Sequence, residues 1–147
     1  MYANTFPDPI SQAVYYEDVL PRRALAWLFD TLIIAFFVSL LVPLTGFLAL
    51  FFLGGLYVFV SFLYRWIGLA RHSSTFGMRM VGLEFRDAQG YPMSGTQGFL
   101  HTLFYILSVA FVMPQILSVV LMVFTKRRQG LSDLVLDVVL VNRRALD

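Results

Sequence analysis

Two charged residues near the start of the first apolar segment, Arg23 and Asp30, have a spacing that suits ion chemistry. They are seven residues apart, about two helical turns, so both project from one face of a helix. A carboxylate at membrane depth costs at least about 2.5–3.5 kcal/mol, so Asp30 needs a partner or a proton. The spacing predicts an Arg23–Asp30 pair, which serves either to fix helix packing or as an ion or proton site.

Two further carboxylates, Asp133 and Asp137, follow a basic stretch near the end of the chain and would lie one turn apart in a helix. In one interpretation Asp133 caps a short helix and both carboxylates are solvated. In the other, Asp133 packs against the Arg23 end of the first helix and closes a charged cluster on the cytoplasmic side. Arg128 lies in the basic stretch, which is more typical of an orientation signal and a lipid-headgroup patch than of a substrate site.

The remaining residue types that support catalysis or metal binding do not form recognisable patterns. His72 and His101 have no carboxylate at metal-ligand spacing, so we expect neither a metal site nor a cofactor. Ser73, Ser74 and Ser132 lack the sequence context of an activated nucleophile. The absence of cysteine excludes disulfides and thiolate ligands. We therefore expect that the protein is not an enzyme.

The composition is that of an integral membrane protein. Hydrophobic residues make up 59% of the 147 residues and charged residues only 14%, whereas a soluble domain has about 25% charged residues. This excess of apolar side chains cannot all be hidden in one small core, so it must face a lipid bilayer. The net charge of +2 does not indicate nucleic-acid binding, because the basic residues lie beside the apolar segments and form no basic face with interleaved aromatics.

Residues 24–42 and 47–66 are apolar runs that each contain one charged residue, Asp30 and Arg65. Each run meets the requirement of about 20 apolar residues for a membrane-spanning helix. The connection at residues 43–46 carries no charge and contains a proline and a glycine, which indicate a turn. The sequence therefore predicts a hairpin of two transmembrane helices.

A third apolar stretch, residues 98–125, is interrupted at Pro114. As one straight helix it would be about 42 Å long, which exceeds a bilayer core of about 30 Å unless the helix is strongly tilted. The alternative is a re-entrant helical hairpin of about 98–112 and 115–125. The positive-inside rule favours the hairpin, because all eleven Lys and Arg residues, and the N-terminus, are then cytoplasmic.

The segment before the first membrane helix, residues 1–21, is a polar and aromatic lead-in without the features of a cleaved signal peptide. Asp8 and Pro9 are a typical helix start, with Asp8 as the N-cap. They predict a short interfacial helix over about 10–19. Targeting to the membrane is then expected to depend on the first membrane helix.

Two polar regions flank the third stretch and are expected to lie in the cytoplasm. In the loop at residues 67–97, alternation over 81–86 predicts a half-buried strand that ends in a turn at 87–90. In the basic turn and tail at residues 126–147, a β-branched run at 138–141 predicts a second strand. A re-entrant hairpin would let these strands pair, and the whole chain, 1–147, is then one predominantly α-helical membrane domain with a small cytoplasmic β element.

Three sequence pieces in order resemble the RDD family of small bacterial membrane proteins. Residues 22–30, RRALAWLFD, resemble the opening helix of that family; residues 75–83, TFGMRMVGL, are similar to its T-x-G-K-R-x-x-G-L stretch; residues 127–133, RRQGLSD, are similar to its R-R-Q-x-x-H-D element. Two positions depart from the pattern, because Met78 replaces the usual lysine and Ser132 the usual histidine.

The resemblance implies a location in the bacterial inner membrane and, as suggested for some members, transport or ion exchange. We expect an ion-coupled or small-solute transport protein that acts as an oligomer, with Arg23, Asp30 and Asp133 as its charged cluster. The alternative is a non-catalytic scaffold or accessory subunit of a membrane complex, in which the same charges only hold helices together. The secondary candidate site residues are Thr75, Gly77, Arg79, Arg128 and Asp137.

Overall fold

The computed structural model describes residues 6–146, and its two longest helices are apolar. Helix α1 is Val19–Leu44 and helix α2 is Leu53–His72, joined through a 3₁₀ turn at Leu48–Phe52. Within the described residues, two helical segments, Ala13–Leu44 and Leu48–His72, are long and apolar enough to cross a membrane. The predicted pair of transmembrane helices is thus confirmed.

A short helix and a strand follow α2 and turn the chain back toward α1. Helix α3 is Phe76–Met80, and strand β1 is Leu83–Asp87. The Gly90 amide donates to the Asp87 carbonyl at 2.9 Å, which forms the predicted turn after the strand. Gly82 between α3 and β1 has a φ of +76°, a conformation that favours glycine.

The third apolar stretch is two helices, α4 at Gly95–Ala110 and α5 at Val112–Phe124, bent by 115° relative to each other. The break lies at Phe111, so its predicted position at Pro114 is wrong. Pro114 instead occupies the first turn of α5, where a missing backbone N–H costs nothing because that turn has no intrahelical acceptor. At about 24 Å and 20 Å, neither helix alone is as long as a bilayer core is thick.

The tail forms the short helix α6, Leu131–Val135, and strand β2, Val138–Asn142. Strand β2 pairs with β1 in an antiparallel sheet, with Leu83 opposite Asn142 and Asp87 opposite Val138. The chain before α4 and the chain after α5 therefore meet in one sheet. A re-entrant hairpin allows this pairing, whereas a single straight crossing would separate the two strands.

The sheet packs against the first part of α1 and supplies most of the close-packed core. Phe85 and Leu140 lie in one buried cluster with Val19 and Ala26 of α1. Farther along α1, by contrast, large side chains such as Phe36 are exposed, as expected for helices that face lipid. The long helices thus expose apolar side chains, and the close-packed core lies around the sheet.

The lead-in differs from its prediction. Asp8 accepts hydrogen bonds from the Ile10 and Ser11 amides, both at 2.8 Å, so it caps a turn. A 3₁₀ turn at Ala13–Tyr15 follows, and Asp18 with a φ of +55° separates it from α1. The predicted helix over 10–19 is therefore wrong, because this left-handed residue interrupts regular helical geometry; residues 1–5 lie outside the described residues.

The β1–β2 pairing predicts the topology of the third stretch. Reporters inserted in the 87–90 turn and fused after residue 147 should report the same side of the membrane, because both flank one sheet. A reporter in the turn at residues 45–47 should report the opposite side. Opposite sides for the first two reporters would show that the third stretch crosses the bilayer once.

Candidate functional site

Asp30, on α1, is fully buried and accepts three hydrogen bonds from the elements that follow α1. The Tyr64 hydroxyl donates to its Oδ1 at 2.6 Å, the Thr75 hydroxyl to Oδ2 at 2.6 Å and the Gly77 amide to Oδ1 at 2.9 Å. These donors satisfy the buried carboxyl group, and the Arg23 guanidinium is not among them. The predicted Arg23–Asp30 pair is wrong, because α3 brings closer donors to Asp30.

The approach of α3 to α1 depends on glycine at position 77. A Cβ atom there would lie 2.6 Å from Asp30 Oδ1 and would also collide with the Ala26 carbonyl oxygen. Thr75 sits just before α3, where its hydroxyl also accepts a hydrogen bond from the Met78 amide at 3.3 Å. Two of the secondary candidates, Thr75 and Gly77, therefore act together to hold Asp30.

Arg23, two turns before Asp30, pairs instead with Asp133 of α6. Its Nη1 is 2.6 Å from Asp133 Oδ2 and its Nη2 is 3.2 Å from Oδ1, a two-pronged contact. Asp133 is fully buried and its Oδ2 also accepts from the Gly130 amide at 2.9 Å. The interpretation in which Asp133 packs against the Arg23 end of the first helix is confirmed, and the solvated interpretation of Asp133 is wrong.

A histidine that the sequence analysis did not select completes this cluster. His101 of α4 is buried, and its Nε2 is 2.7 Å from Asp133 Oδ1. In the sequence, His101 has no carboxylate at metal-ligand spacing and so predicts no metal site. The signal that would have found His101 is its place as an ionisable residue within the third apolar stretch, since such residues mark function unusually often.

The electrostatics of this cluster keep Asp133 ionised. Burial alone would raise the pKa of the Asp133 carboxyl, but the positive charge of Arg23 and the hydrogen bond from His101 outweigh burial. Together they hold that pKa well below its usual value. The cluster thus combines a fixed cation, a fixed anion and an imidazole that can exchange a proton.

Both buried carboxyl groups face one cavity of about 280 Å³. Residues of all six α-helices line the cavity, and its walls include apolar side chains such as Trp27 and Val119. Its polar and charged lining consists of Arg23, Asp30, Arg65, His101, Tyr105, Ser108, Gln115, Ser118, Ser132 and Asp133. Met78 and Ser132, the two departures from the family pattern, also line it.

The remaining secondary candidates do not join the cavity lining. Arg79 is exposed and lies over the Phe76 ring, 5.6 Å from its centroid. Asp137 is exposed in the turn between α6 and β2, where its φ is +51°. Arg128 contributes its backbone carbonyl, which accepts from Arg23 Nη1 at 3.4 Å, while its guanidinium donates to the Val123 carbonyl.

The arrangement suits ion or proton handling better than metal binding. Within residues 6–146, no three His, Asp or Glu side chains lie close enough together to hold a metal ion. Histidine is the side chain best suited to exchange protons near neutral pH, and His101 meets a carboxylate that Arg23 keeps charged. The structure thus places one histidine and two carboxyl groups at the wall of one polar cavity.

Comparison with known families places this site in context. The model of the RDD family matches residues 19–137, a range that contains α1 to α6 and every residue of the cavity lining. No curated protein and no solved structure matches the chain.

The Arg23–Asp133 contact predicts energetic coupling that Arg23 and Asp30 lack. Arg23→Gln alone should lower the free energy of unfolding by about 3–5 kcal/mol, because it leaves a buried carboxylate uncompensated. Adding Asp133→Asn should recover part of this loss, measured by unfolding in mixed detergent micelles. The matched pair Arg23→Gln with Asp30→Asn, about 10 Å apart along α1, should be additive within about 0.5 kcal/mol. If the effects of Arg23→Gln and Asp133→Asn on the free energy of unfolding are additive, the assigned contact is contradicted.

The close approach of α3 to α1 predicts a specific effect at Gly77. Gly77→Ala should destabilise the protein by about 1–3 kcal/mol, because the added methyl group must push α3 away from α1. The control is Gly55→Ala, where a Cβ meets nothing within 4 Å; it should be neutral or slightly stabilising. Thermal unfolding in detergent measures both, and equal stabilities would contradict the packing described for α3.

Proposed function

Because this chain belongs to the RDD family of membrane proteins, we propose that it is a small-solute or ion-coupled transport protein of a bacterial inner membrane. The observation that carries the proposal is the cavity of about 280 Å³ on which Arg23, Asp30, Arg65, His101 and Asp133 converge. Charged residues among membrane helices are costly, and they are retained mainly where they handle ions or substrates.

The empty volume argues against a purely structural use of these charges. Protein interiors are close-packed, and a polar group that only holds helices together needs no cavity beside it. A buried ion pair adds little stability compared with well-packed apolar residues. A scaffold or accessory subunit, the alternative function, would therefore gain nothing from polar side chains that line an open space. This volume lies at the small end of ligand pockets, which suits a small solute.

The Arg23–Asp133–His101 cluster supports proton coupling. Arg23 keeps Asp133 ionised, and the His101 imidazole lies 2.7 Å from this carboxylate at the wall of the cavity. Histidine is the side chain best suited to exchange protons near neutral pH, and a solute or ion that enters the cavity comes close to it. His101 would in this way link proton binding to the contents of the cavity.

The proposed orientation places the N-terminus, the loop at 67–97 and the tail at 126–147 in the cytoplasm. None of the eleven Lys and Arg residues lies in the connection between α1 and α2, residues 45–52, so the positive-inside rule supports this orientation. Two crossing helices and one re-entrant hairpin are few to enclose a pathway, and the apolar outer faces of α1 and α2 offer surface for further subunits. We therefore include a homo-oligomer in the proposal.

Proton flux into proteoliposomes tests this function. Purified protein should dissipate an imposed pH gradient, followed by an enclosed pH-sensitive dye, with valinomycin and potassium present to prevent charge build-up. His101→Gln should slow this flux about tenfold or more, which corresponds to at least about 1.4 kcal/mol. His72→Gln is the matched control, since His72 is exposed at the end of α2, and it should leave the flux unchanged. Flux no faster than in protein-free liposomes, together with a stable hetero-complex on purification, would favour the scaffold.

A further inference from the structure

Arg65 of α2 is a buried cation outside the Arg23–Asp133–His101 cluster. Its exposure is 7%, it lines the cavity, and its Nε–H is enclosed without an acceptor. In the part of the chain that the structure describes, no carboxylate lies within ion-pair distance of it. The carboxyl groups of the same cavity, Asp30 and Asp133, are held by other donors. A buried guanidinium without a counter-charge is costly.

Tyr105 of α4 adds a second free donor beside Arg65. The Arg65 guanidinium carbon lies 4.1 Å from the centroid of the Tyr105 ring, and Nη2 donates to the Tyr105 hydroxyl at 3.4 Å. Trp27 Nε1 donates to the same oxygen at 2.8 Å. Two donors thus occupy the lone pairs of this oxygen, and among residues 6–146 its own proton has no acceptor. The hydroxyl is therefore available to donate to a molecule in the cavity.

Gln115 of α5 presents a third donor to the cavity. Its side-chain oxygen lies 3.0 Å from the Ser108 hydroxyl, whose single proton also serves the Tyr105 carbonyl at 2.8 Å, and its amide nitrogen contacts no acceptor in the described part of the chain. The Arg65 Nε–H, the Tyr105 hydroxyl proton and the Gln115 amide nitrogen thus have no acceptor among residues 6–146, and all three residues line one cavity. Such a donor-only surface is complementary to an anion.

We propose that this donor surface, formed by Arg65, Tyr105 and Gln115, binds a short-chain monocarboxylate anion. The planar guanidinium fork matches the two oxygens of a carboxylate. The apolar walls formed by Trp27 and Val119 suit a short hydrocarbon chain, and a volume of about 280 Å³ leaves no room for a large one. Binding at this site does not depend on the proposed transport function. If the protein is a transporter, the carboxylate is the solute that it carries.

Fluorescence of Trp27 provides a direct binding test, because its indole contacts Tyr105. The chain has two tryptophans, so Trp66→Phe leaves Trp27 as the sole reporter. Titration of the purified protein with butyrate, at an ionic strength held constant with chloride, should give a saturable change in fluorescence. Arg65→Gln should weaken binding about tenfold or more. Arg71→Gln, an exposed position on the same helix, is the matched control and should leave binding unchanged.

Tyr105→Phe keeps the ring under Arg65 and removes only the hydroxyl, so it serves as the second variant if Arg65→Gln does not fold. It should weaken butyrate binding several-fold, about as expected for one lost hydrogen bond to an anion. Three results would overturn the assignment. They are a linear response to butyrate, a butyrate affinity that neither Arg65→Gln nor Tyr105→Phe changes, and phosphate binding as tight as butyrate binding. Saturable butyrate binding by a protein that carries no proton flux would support this site and contradict the transport proposal. Proton flux without butyrate binding would support the transport proposal and contradict this site.

Discussion

The buried carboxylate of Asp133 ties together three parts of the chain that are far apart in sequence. Arg23 attaches it to α1, His101 to α4, and the Gly130 amide fixes it at the start of α6. Because Asp133 is fully buried, any loss of these partners leaves a charge in a low-dielectric site, which is costly. Asp133 thereby helps to hold the α4–α5 pair and the tail against α1.

The second buried carboxyl group, Asp30, holds α3 against α1, and Met78 of α3 lines the cavity. The three donors to Asp30 come from α2 and from the start of α3. The two carboxyl groups are thus held by separate sets of partners, and both line the cavity. This separation explains how a chain of 147 residues can keep a polar space among helices that are otherwise apolar. The same space brings Arg65 and His101 to one surface.

The helices and strands follow local sequence patterns and were predictable from the sequence. The side-chain contacts of the charged residues depend on tertiary packing and were harder to predict. Length and hydropathy identified the two long helices, alternation identified the first strand, and a β-branched run identified the second. The spacing of Arg23 and Asp30 described one helix face correctly but not its contacts, because donors 34 to 47 residues further along the chain reach Asp30 first. His101 meets Asp133 across 32 residues, a proximity that no local pattern encodes. The break at Phe111 lacks the proline signal that the sequence offered three residues later.

The proposed function requires that the apolar helices enclose a polar cavity that water and small solutes can enter. Thiol accessibility tests it directly, because the natural chain has no cysteine. Val119 and Val120 are neighbours on α5 with similar exposure, 47% and 43%, but only Val119 lines the cavity. In membranes, Val119→Cys should react with a small charged methanethiosulfonate reagent, and Val120→Cys should stay unreactive because it faces lipid or a neighbouring subunit. Equal reactivity of the two cysteines, or reaction at Val120→Cys alone, would contradict the account.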